Sequence, residues 1–217
     1  MMLSKRLRAL ADLVPPDEIV ADIGSDHALL LCHLEKTGRL KKGYAMDIAG
    51  GPLAQAKKNI EVLDCNSIEL LQSDGLDRLP GDVTILVIAG LGYRSIKRIL
   101  DTAWEKTEKM KAVVVQCNSE LYAFRSFLAD KQAEIIAECW VKDYKDYQLI
   151  KFIANMAGFY NEAEIYFGPF LLKEKSPDFL GYYKRYYEKL RTNYLRNKDE
   201  RLAQEMKLIS RCLEDFI

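Results

Sequence analysis

VADIGSDHALL, residues 20–30, holds the strand-to-helix transition from which the fold can be worked out. A short apolar run ends at a glycine turn, and a second apolar run of helical composition begins directly after it. From residue 19 onward the chain repeats this alternation of β-branched runs with longer amphipathic segments. The alternation predicts a parallel sheet flanked by helices. The predicted strands are residues 19–23, 43–47, 67–71, 83–89, 111–116, 134–141 and 148–154.

The last two predicted strands are separated only by KDYKDY, residues 142–147. This segment is too short for a parallel crossover, so the two strands should form an antiparallel hairpin at one edge of the sheet. Between the earlier strands, Pro52 opens a predicted helix that runs to about Val62, and Asn118 or Ser119 caps a later one. Seven strands ending in such a hairpin predict a Rossmann-like, doubly wound α/β fold in the variant found in methyltransferases.

The sequence changes character after residue 155. From Ser176 onward glycine and proline nearly vanish, and apolar residues recur every three or four positions in two successive segments. The first stripe comprises Phe179, Tyr183, Tyr186, Leu190 and Tyr194, and the second Leu202, Met206, Ile209, Leu213 and Phe216. A turn at 197–199 would make these segments an antiparallel, coiled-coil-like helical hairpin. We therefore expect two domains, a sheet domain over residues 1–155 and a connecting segment plus helical hairpin over residues 156–217.

The composition is that of an ordinary globular protein. The 217 residues include 32 basic and 32 acidic side chains, and 49% of the residues are hydrophobic. The most apolar region, residues 83–93, is far shorter than the roughly 20 residues needed to span a bilayer. The N-terminal segment lacks the uninterrupted apolar core of a secretion signal, and the five cysteines form no C-x-x-C pair. We expect a cytoplasmic protein with no membrane partner and, given only two histidines, no metal site.

Acidic residues follow three successive predicted strands. Asp22 comes just before Gly24, Asp47 ends the second strand, and Asp74 comes before Gly75. Ligands of open α/β sheets bind outside the carboxyl ends of the strands, so the three carboxylates should lie at one binding edge. Each alone is also explained by a local turn or a helix cap. Turns alone do not readily account for three of them at the same edge.

The glycine pattern narrows the class of ligand. A dinucleotide-binding turn would require G-x-G-x-x-G, and only Gly24 is present in this turn. An acidic residue before a single glycine instead suits a ligand with a cationic amino-acid end, such as S-adenosylmethionine. In that case Asp47 can accept both hydrogen bonds of a ribose diol. Asp74 can accept one from the exocyclic amine of adenine.

Small and neutral residues follow the fourth and fifth predicted strands. Gly90 and Gly92 would let the backbone line the space in front of a transferable methyl group. Gln116 and Asn118 are neutral amides able to read the edge of a base. We therefore expect the methyl group beside the fourth strand and the acceptor base beside the fifth.

Six segments carry a resemblance to a known family. In chain order they are ADIGSDHALL, MDIAGGPLAQAKKNI, SDGLDRL, VIAGLGYRSIKRIL, VVVQCNSELYAFRSFL and EAEIYFGPFLL. The set resembles the bacterial tRNA (adenine-N1)-methyltransferases that act on adenine 22, and it covers nearly the whole chain. The resemblance implies a tRNA-modifying enzyme with S-adenosylmethionine as methyl donor, S-adenosylhomocysteine as product, and a C-terminal helical arm that helps to hold tRNA. No obligatory protein partner is predicted.

The resemblance also assigns cofactor-binding residues by position. They are Asp22, Gly24, Asp26 and His27 in the first turn, Asp47 and Ile48 at the ribose, Asp74 and Gly75 at the adenine, and Ala89, Gly90, Leu91 and Gly92 facing the methyl group. Two positions depart from the family pattern. Tyr93 stands where the family has a glycine, and Cys117 replaces the proline of Q-P-N. The ring of Tyr93 either stacks on the target adenine or obstructs its pocket.

Asp26, Asn118 and Tyr93 are the candidate catalytic residues. Methylation of adenine N1 leaves a cationic base, so a nearby carboxylate can stabilise it and accept a proton from N6, the role for which Asp26 is the candidate. Asn118 would hold the edge of the base. The alternative is a buried Asp26 bonded to backbone amides, with His27 as a packing residue. Because N1 lies on the pairing edge, the target base must be unpaired before reaction.

The first helix of the predicted hairpin carries a cationic segment. Residues 182–198 have a net charge of +5, contributed by Lys184, Arg185, Lys189, Arg191, Arg196 and Lys198 against one glutamate. Cations for phosphate and tyrosines for stacking are the expected footprint of RNA binding. The alternative is a solvated helix face, with tRNA bound elsewhere, for example at Lys5, Arg6 and Arg8. Two other functions stay open, a non-catalytic RNA-binding relative and, disfavoured by the missing glycines, a nicotinamide-dependent oxidoreductase.

Overall fold

The computed structural model describes residues 3–213, in which strands and helices alternate. The strands are β1 Glu18–Ile23, β2 Leu40–Asp47, β3 Ile68–Gln72, β4 Ile85–Leu91, β5 Ala112–Cys117, β6 Ala133–Lys142 and β7 Asp146–Ala157. The helices are α1 Lys5–Leu13, α2 Leu29–Lys36, α3 Gly50–Val62, α4 Tyr93–Thr102, α5 Trp104–Thr107, α6 Leu121–Asp130, α7 Glu162–Phe167, α8 Pro169–Glu174, α9 Pro177–Asn197 and α10 Glu200–Cys212. Within the described range, no helix combines the length and the apolar character needed to cross a membrane.

The strands form one sheet in the order β3-β2-β1-β4-β5-β7-β6. The first five strands are parallel, and β7 runs antiparallel between β5 and β6. The Rossmann-like sheet and its antiparallel edge hairpin are thus confirmed. The strand order reverses between β1 and β4, which is the point where ligands bind in sheets of this kind.

The central strands are apolar along most of their length because helices cover both faces of the sheet. All six residues of β5 and the last four of β1 are buried. Helix α1 buries Leu10 in this core and is capped by the Ser4 hydroxyl, 3.2 Å from the Leu7 amide nitrogen. It packs against α2 and the β6–β7 hairpin. This packing brings Arg6, in the first turn of α1, to the carboxyl end of β5.

Pro52 lies in the first turn of helix α3, as predicted, although the helix begins two residues earlier, at Gly50. The start of a second helix differs from the prediction. Helix α6 begins after Glu120, whose φ of 54° lies in the left-handed region, and neither Asn118 nor Ser119 caps it. The physical reason is that the side-chain amide of Asn118 donates to the Gly90 carbonyl instead. A tertiary partner outcompetes the helix terminus for this side chain.

A buried ion pair attaches α6 to the edge hairpin. The Arg125 guanidinium donates to Glu138 on β6 at 2.8 Å and to Gln148 on β7 at 2.7 Å. All three residues are buried. Removing one partner of such a pair leaves an uncompensated buried charge and costs about 3–5 kcal/mol. The contact therefore holds the β6–β7 hairpin in one position against α6.

From Tyr160 onward the described residues form a second compact unit. Its helices α9 and α10 pack together as the helical hairpin predicted from the two apolar stripes. The residues buried in this hairpin are Phe179, Tyr183, Leu190, Leu208 and Ile209. The Glu205 carboxylate accepts hydrogen bonds from the hydroxyls of Tyr166 and Tyr186. Phe216, the last residue of the second predicted stripe, lies outside the described residues.

Candidate active site

A cleft of about 400 Å³ opens at the carboxyl ends of β1, β2 and β4. Its size is within the range of small-ligand sites. The predicted cofactor residues that line it are Asp22, Gly24, Asp26 and His27 after β1, Asp47 after β2, and Ala89, Gly90 and Leu91 at β4. In the described chain, the other four predicted positions do not line the cleft; they are Ile48, Asp74, Gly75 and Gly92.

Asp22 is the buried carboxylate of the cleft. The residue is 8% exposed, and its carboxylate accepts a hydrogen bond from the Ser25 hydroxyl at 2.7 Å. Burial raises the pKa of Asp22 to about 6, although the Ser25 hydrogen bond and the charge of Arg6 act in the opposite direction. The negative charge of Asp47 adds to the increase. A cationic ligand group beside Asp22 would relieve this cost.

The turn after β1 is tied to β2 through its backbone. The amide nitrogens of Gly24 and Ser25 both donate to the Met46 carbonyl, at 2.8 and 3.1 Å. Gly24 has a φ of +77°, a conformation that favours glycine. Ala28 follows with a φ of 52° just before α2, where a side chain costs about 1–2 kcal/mol. Strain of this kind persists only where the surrounding structure fixes it, and it clusters at binding sites.

Asp26 and His27 form an exposed pair in the lining of the cleft. His27 Nε2 lies 3.1 Å from Asp26 Oδ2, and the two side chains are 48% and 67% exposed, respectively. The Asn59 side chain steadies this turn by donating to the His27 carbonyl at 2.9 Å. The alternative of a buried Asp26 bonded to backbone amides is therefore wrong. The carboxylate is accessible to a second substrate that approaches the cleft.

Asp47 lies at the end of β2 and lines the cleft from that side. One of its oxygens accepts a hydrogen bond from the Ala49 amide at 2.9 Å. The alternative function for Asp47 was to cap α3. The N-cap of that helix is Ala49, so Asp47 does not cap it. The neighbouring Ile48 is 60% exposed.

Asp74 has a structural partner in this conformation. Arg98 on α4 donates to both of its carboxylate oxygens, at 2.9 and 3.3 Å. The following Gly75 has a φ of +53°, and a Cβ at this position would lie 3.2 Å from the Ile99 side chain. These contacts stabilise the turn after β3. An adenine amine would have to share the Asp74 carboxylate with Arg98.

A β-bulge at Gly90 shapes the end of β4. The ladder with β5 passes from Ala89 directly to Leu91, so Gly90 is skipped. Its φ of +83° favours glycine. Asn118 binds both sides of the bulge, because its side-chain nitrogen donates to the Gly90 carbonyl at 2.6 Å and its backbone nitrogen to the Leu91 carbonyl at 2.8 Å. The backbone at this rim of the cleft is thus held in a defined shape.

A chain of hydrogen bonds connects α1 to this bulge. Arg6 donates to Gln116 Oε1 at 2.7 Å, and Gln116 Nε2 donates to Asn118 Oδ1 at 3.0 Å. Gln116 is fully buried, so the prediction that it reads the edge of a base is wrong. The amide oxygen of Asn118 accepts from Gln116, and one of its two N–H groups is bound to Gly90. The second N–H is the group that Asn118 has to offer a substrate.

Tyr93 and Cys117, the two departures from the family pattern, both lie next to Ser119. Tyr93 begins α4 and is half-buried, with its backbone nitrogen 3.5 Å from Ser119 Oγ. The Cys117 thiol is buried and donates to the Ser119 carbonyl at 2.9 Å. Burial raises the pKa of this thiol, which disfavours the reactive thiolate. The thiol hydrogen bond holds a loop that proline would have restrained through its ring.

The six predicted RNA-binding residues of the second unit are all exposed along α9 and at its end. They are Lys184, Arg185, Lys189, Arg191, Arg196 and Lys198. Arg191 lies 3.8 Å from Glu188, and the Lys198 ammonium lies 5.3 Å from the centre of the Tyr194 ring. Exposed contacts of this kind are weak. The segment therefore presents its positive charge to solvent.

Sequence reasoning missed Arg6, Ser25 and Pro52 as lining residues of the cleft. The position of Ser25, directly after the turn glycine and three residues after Asp22, was a usable signal. Arg6 carried none, because it reaches the cleft only through the docking of α1 against strands far away in sequence. The sequence places Arg6 instead in an alternative RNA-binding surface with Lys5 and Arg8.

Residues 3–150 match a family model described as a methyltransferase domain. Together with the strand order and the cleft at the reversal point, this match places the chain in the class of methyltransferases with a Rossmann-like sheet. It gives no support to the nicotinamide-dependent alternative.

Similarity to individual relatives extends over the whole chain. The tRNA (adenine(22)-N(1))-methyltransferase of Bacillus subtilis (strain 168) is 29% identical over 99% of this chain and 98% of its own. A Streptococcus pneumoniae structure, provisionally described as a tRNA (m1A22) methyltransferase and holding S-adenosyl-L-methionine, is 31% identical over 98% of this chain and 100% of its own, with a TM-score of 0.89. The M. capricolum TrmK structure with S-adenosyl-homocysteine is 26% identical over 100% of both chains, with a TM-score of 0.87. The chain belongs to the bacterial tRNA (adenine(22)-N(1))-methyltransferase family.

Proposed function

We propose that this protein transfers a methyl group from S-adenosylmethionine to N1 of adenine 22 in tRNA. The observation that carries the proposal is a single cleft that brings the Asp22 and Asp47 carboxylates to the Gly90 bulge. It occurs in a chain that matches, over its full length, relatives solved with S-adenosylmethionine and S-adenosylhomocysteine. With tRNA as substrate, the proposed location is the cytoplasm.

The residues of the cleft fit the methyl donor. Asp22, whose pKa burial raises despite the nearby charge of Arg6, would accept from the ammonium group of the amino-acid end. Asp47, on the neighbouring strand, would accept from the ribose hydroxyls. Gly24 and Gly90 let the backbone approach the ligand because neither carries a side chain. Recognition of the adenine ring by Asp74 requires sharing the carboxylate with Arg98, so this contact is the weakest part of the proposed fit.

When bound, S-adenosylmethionine supplies a methyl group on a positively charged sulfur. The residues around the cleft would then position the acceptor, a contribution that can reach about 7–11 kcal/mol of the barrier. Asn118 would donate its second N–H to the target base. Asp26 would face the methylated, cationic base and take the proton from N6, and His27 would hold that carboxylate in place. Tyr93 would stack on the base from the start of α4.

Helix α9 supplies the proposed tRNA-binding surface. The six cations along the helix and at its end would neutralise phosphates, which makes the affinity depend strongly on salt. Two of its tyrosines are not available to stack on RNA bases. Tyr183 is buried in the hairpin and Tyr186 donates to Glu205, so these two rings serve packing rather than stacking on RNA.

The test is to incubate the purified protein with unmodified tRNA and labelled S-adenosylmethionine and to map the modified base. Methylation at N1 of adenine 22 is the expected result. Binding of both ligands without transfer of the label would instead support a non-catalytic RNA-binding relative. Tyr93, at a glycine position of the family pattern, is the observation that favours this second candidate. Transfer to a different base would overturn the assignment of the target.

A further inference from the structure

The turn that joins β6 to β7, residues 143–145, lies at the same edge of the sheet as the cleft. Strand β7 is antiparallel to β5, and Gln116 at the carboxyl end of β5 pairs with Leu149 near the start of β7. The turn precedes Leu149 by a few residues, so it extends past the carboxyl end of β5. No step of the proposed mechanism uses this turn.

Two contacts fix the turn to the site already described. Lys145 Nζ lies 3.4 Å from Asn118 Oδ1. The backbone nitrogen of Arg6 donates to Asp143 Oδ2 at 3.3 Å. The turn therefore touches both ends of the hydrogen-bonded chain that supports the Gly90 bulge.

Tyr144 stands at the centre of this turn and is 82% exposed. Its ring meets the Tyr147 ring nearly at right angles, with 5.5 Å between the centroids and an interplanar angle of 83°. Tyr147 is buried and also lies against two cations, with Arg6 at 5.5 Å and Lys145 at 4.9 Å from the ring centroid. The Tyr144 ring thus packs against a buried neighbour while most of its own surface faces solvent.

The carboxylates in and next to the turn bind other groups than its lysine. The Asp143 carboxylate accepts from the Arg6 backbone, and the Asp146 carboxylate accepts from Trp140 Nε1 at 3.1 Å. Lys145 is exposed and, among residues 3–213, forms no ion pair. An exposed ring beside an unneutralised cation is the pairing that binds single-stranded nucleic acid, by stacking on a base and by contact with phosphate.

We propose that this turn contacts the tRNA beside the methylated adenine, with the Tyr144 ring stacked on an unpaired base and Lys145 on an adjacent phosphate. The inference rests on the proposed function, since it assigns a second contact for the same substrate. It predicts that substitutions in the turn weaken tRNA binding without changing the affinity for S-adenosylmethionine, because none of the residues of the turn lines the cleft.

The experiment compares Tyr144→Ala, Tyr144→Phe and Lys145→Gln by steady-state methylation of tRNA at several salt concentrations. Loss of one stacked base should raise the KM for tRNA about tenfold in Tyr144→Ala, and Tyr144→Phe should stay within about twofold because it keeps the ring. Lys145→Gln should reduce the slope of log affinity against log salt by about 1. Phe159→Ala is the matched control, since Phe159 is also 82% exposed but lies beyond the opposite end of β7. It should leave both quantities unchanged.

The affinity for S-adenosylmethionine, measured by calorimetry, should be the same for all these proteins and confirms that they are folded. A Tyr144→Ala enzyme with the wild-type KM for tRNA would overturn the inference, whether or not the substitution changes the oligomeric state of the protein. Failure of the proposed function is distinguishable, because the wild-type protein itself would then not methylate tRNA.

Discussion

Replacing Asp22 with asparagine should make the protein more stable and, at the same time, a poorer binder of its methyl donor. The pKa of the buried carboxyl is raised from 3.8 to about 6. The folded state therefore binds more protons than the unfolded state between about pH 4 and pH 6, and stability falls as the pH rises through this window. At 1.36 kcal/mol for each pKa unit, the cost above pH 6 is about 3 kcal/mol. A neutral asparagine avoids this cost and keeps an oxygen for the Ser25 hydroxyl.

Urea unfolding of the wild type and of Asp22→Asn at pH 4.5 and pH 8 measures the effect. We expect the variant to be more stable by about 1–3 kcal/mol at pH 8 and to keep only about a third of that advantage at pH 4.5, where the wild-type carboxyl is largely protonated in the folded state but already largely ionised in the unfolded state. Calorimetry at pH 8 should show S-adenosylmethionine bound about 10- to 100-fold more weakly, the loss of one hydrogen bond between charged groups. Ser25→Ala is the paired control and should destabilise the protein at pH 8, because it removes a donor from a buried anion. A variant Asp22→Asn that is no more stable than wild type at pH 8, or whose advantage persists undiminished at pH 4.5, would refute the reasoning.

Three further predictions follow from the same site and from the second unit. Asp26→Ala should lower kcat at least about 100-fold, as expected for loss of a general base, while the affinity for S-adenosylmethionine stays within a few-fold; an active variant would exclude the assigned role. Charge reversal at three exposed positions of α9, Lys184, Arg185 and Lys189, should weaken tRNA binding and flatten its salt dependence. The affinity for the methyl donor should not change. Unchanged tRNA affinity would place the binding surface elsewhere. Gly90→Ala should lower the free energy of unfolding in urea by about 1–2 kcal/mol because the φ of Gly90 is +83°. Gly81→Ala is the control and should lower it less, since a new Cβ there meets nothing within 4 Å. Equal losses of stability would contradict the strain argument.

The fold was predictable because its determinants are local in sequence. β-branched runs, turn glycines and the short 142–147 connection carry the sheet topology without reference to distant residues. The start of α6 was not predictable in the same way. Asn118 is a good helix cap by type, but its amide binds the carbonyl of Gly90, which becomes available only when β4 and β5 are paired.

The candidate site divides along the same line. Asp22, Gly24 and Asp47 could be placed because topology alone brings the carboxyl ends of neighbouring parallel strands together. Burial of Gln116 and the ion pair of Asp74 depend on side chains contributed by other elements, Arg6 and Arg98. A residue type and a strand end predict where a group lies. They do not predict whether another side chain of the protein already forms a hydrogen bond or an ion pair with that group.

Arg6 makes contacts that span most of the first unit of the chain. Its bonds to Gln116 and Asp143 join positions 110 and 137 residues apart. Contacts across such separations carry a large loop-closure entropy and are expected to form late in folding. A chain with a complete sheet but an undocked α1 would retain most of its secondary structure and still lack one wall of the cleft. Affinity for the methyl donor is therefore a stricter measure of completed folding than circular dichroism, and it is the quantity to follow in refolding or in screening destabilised variants.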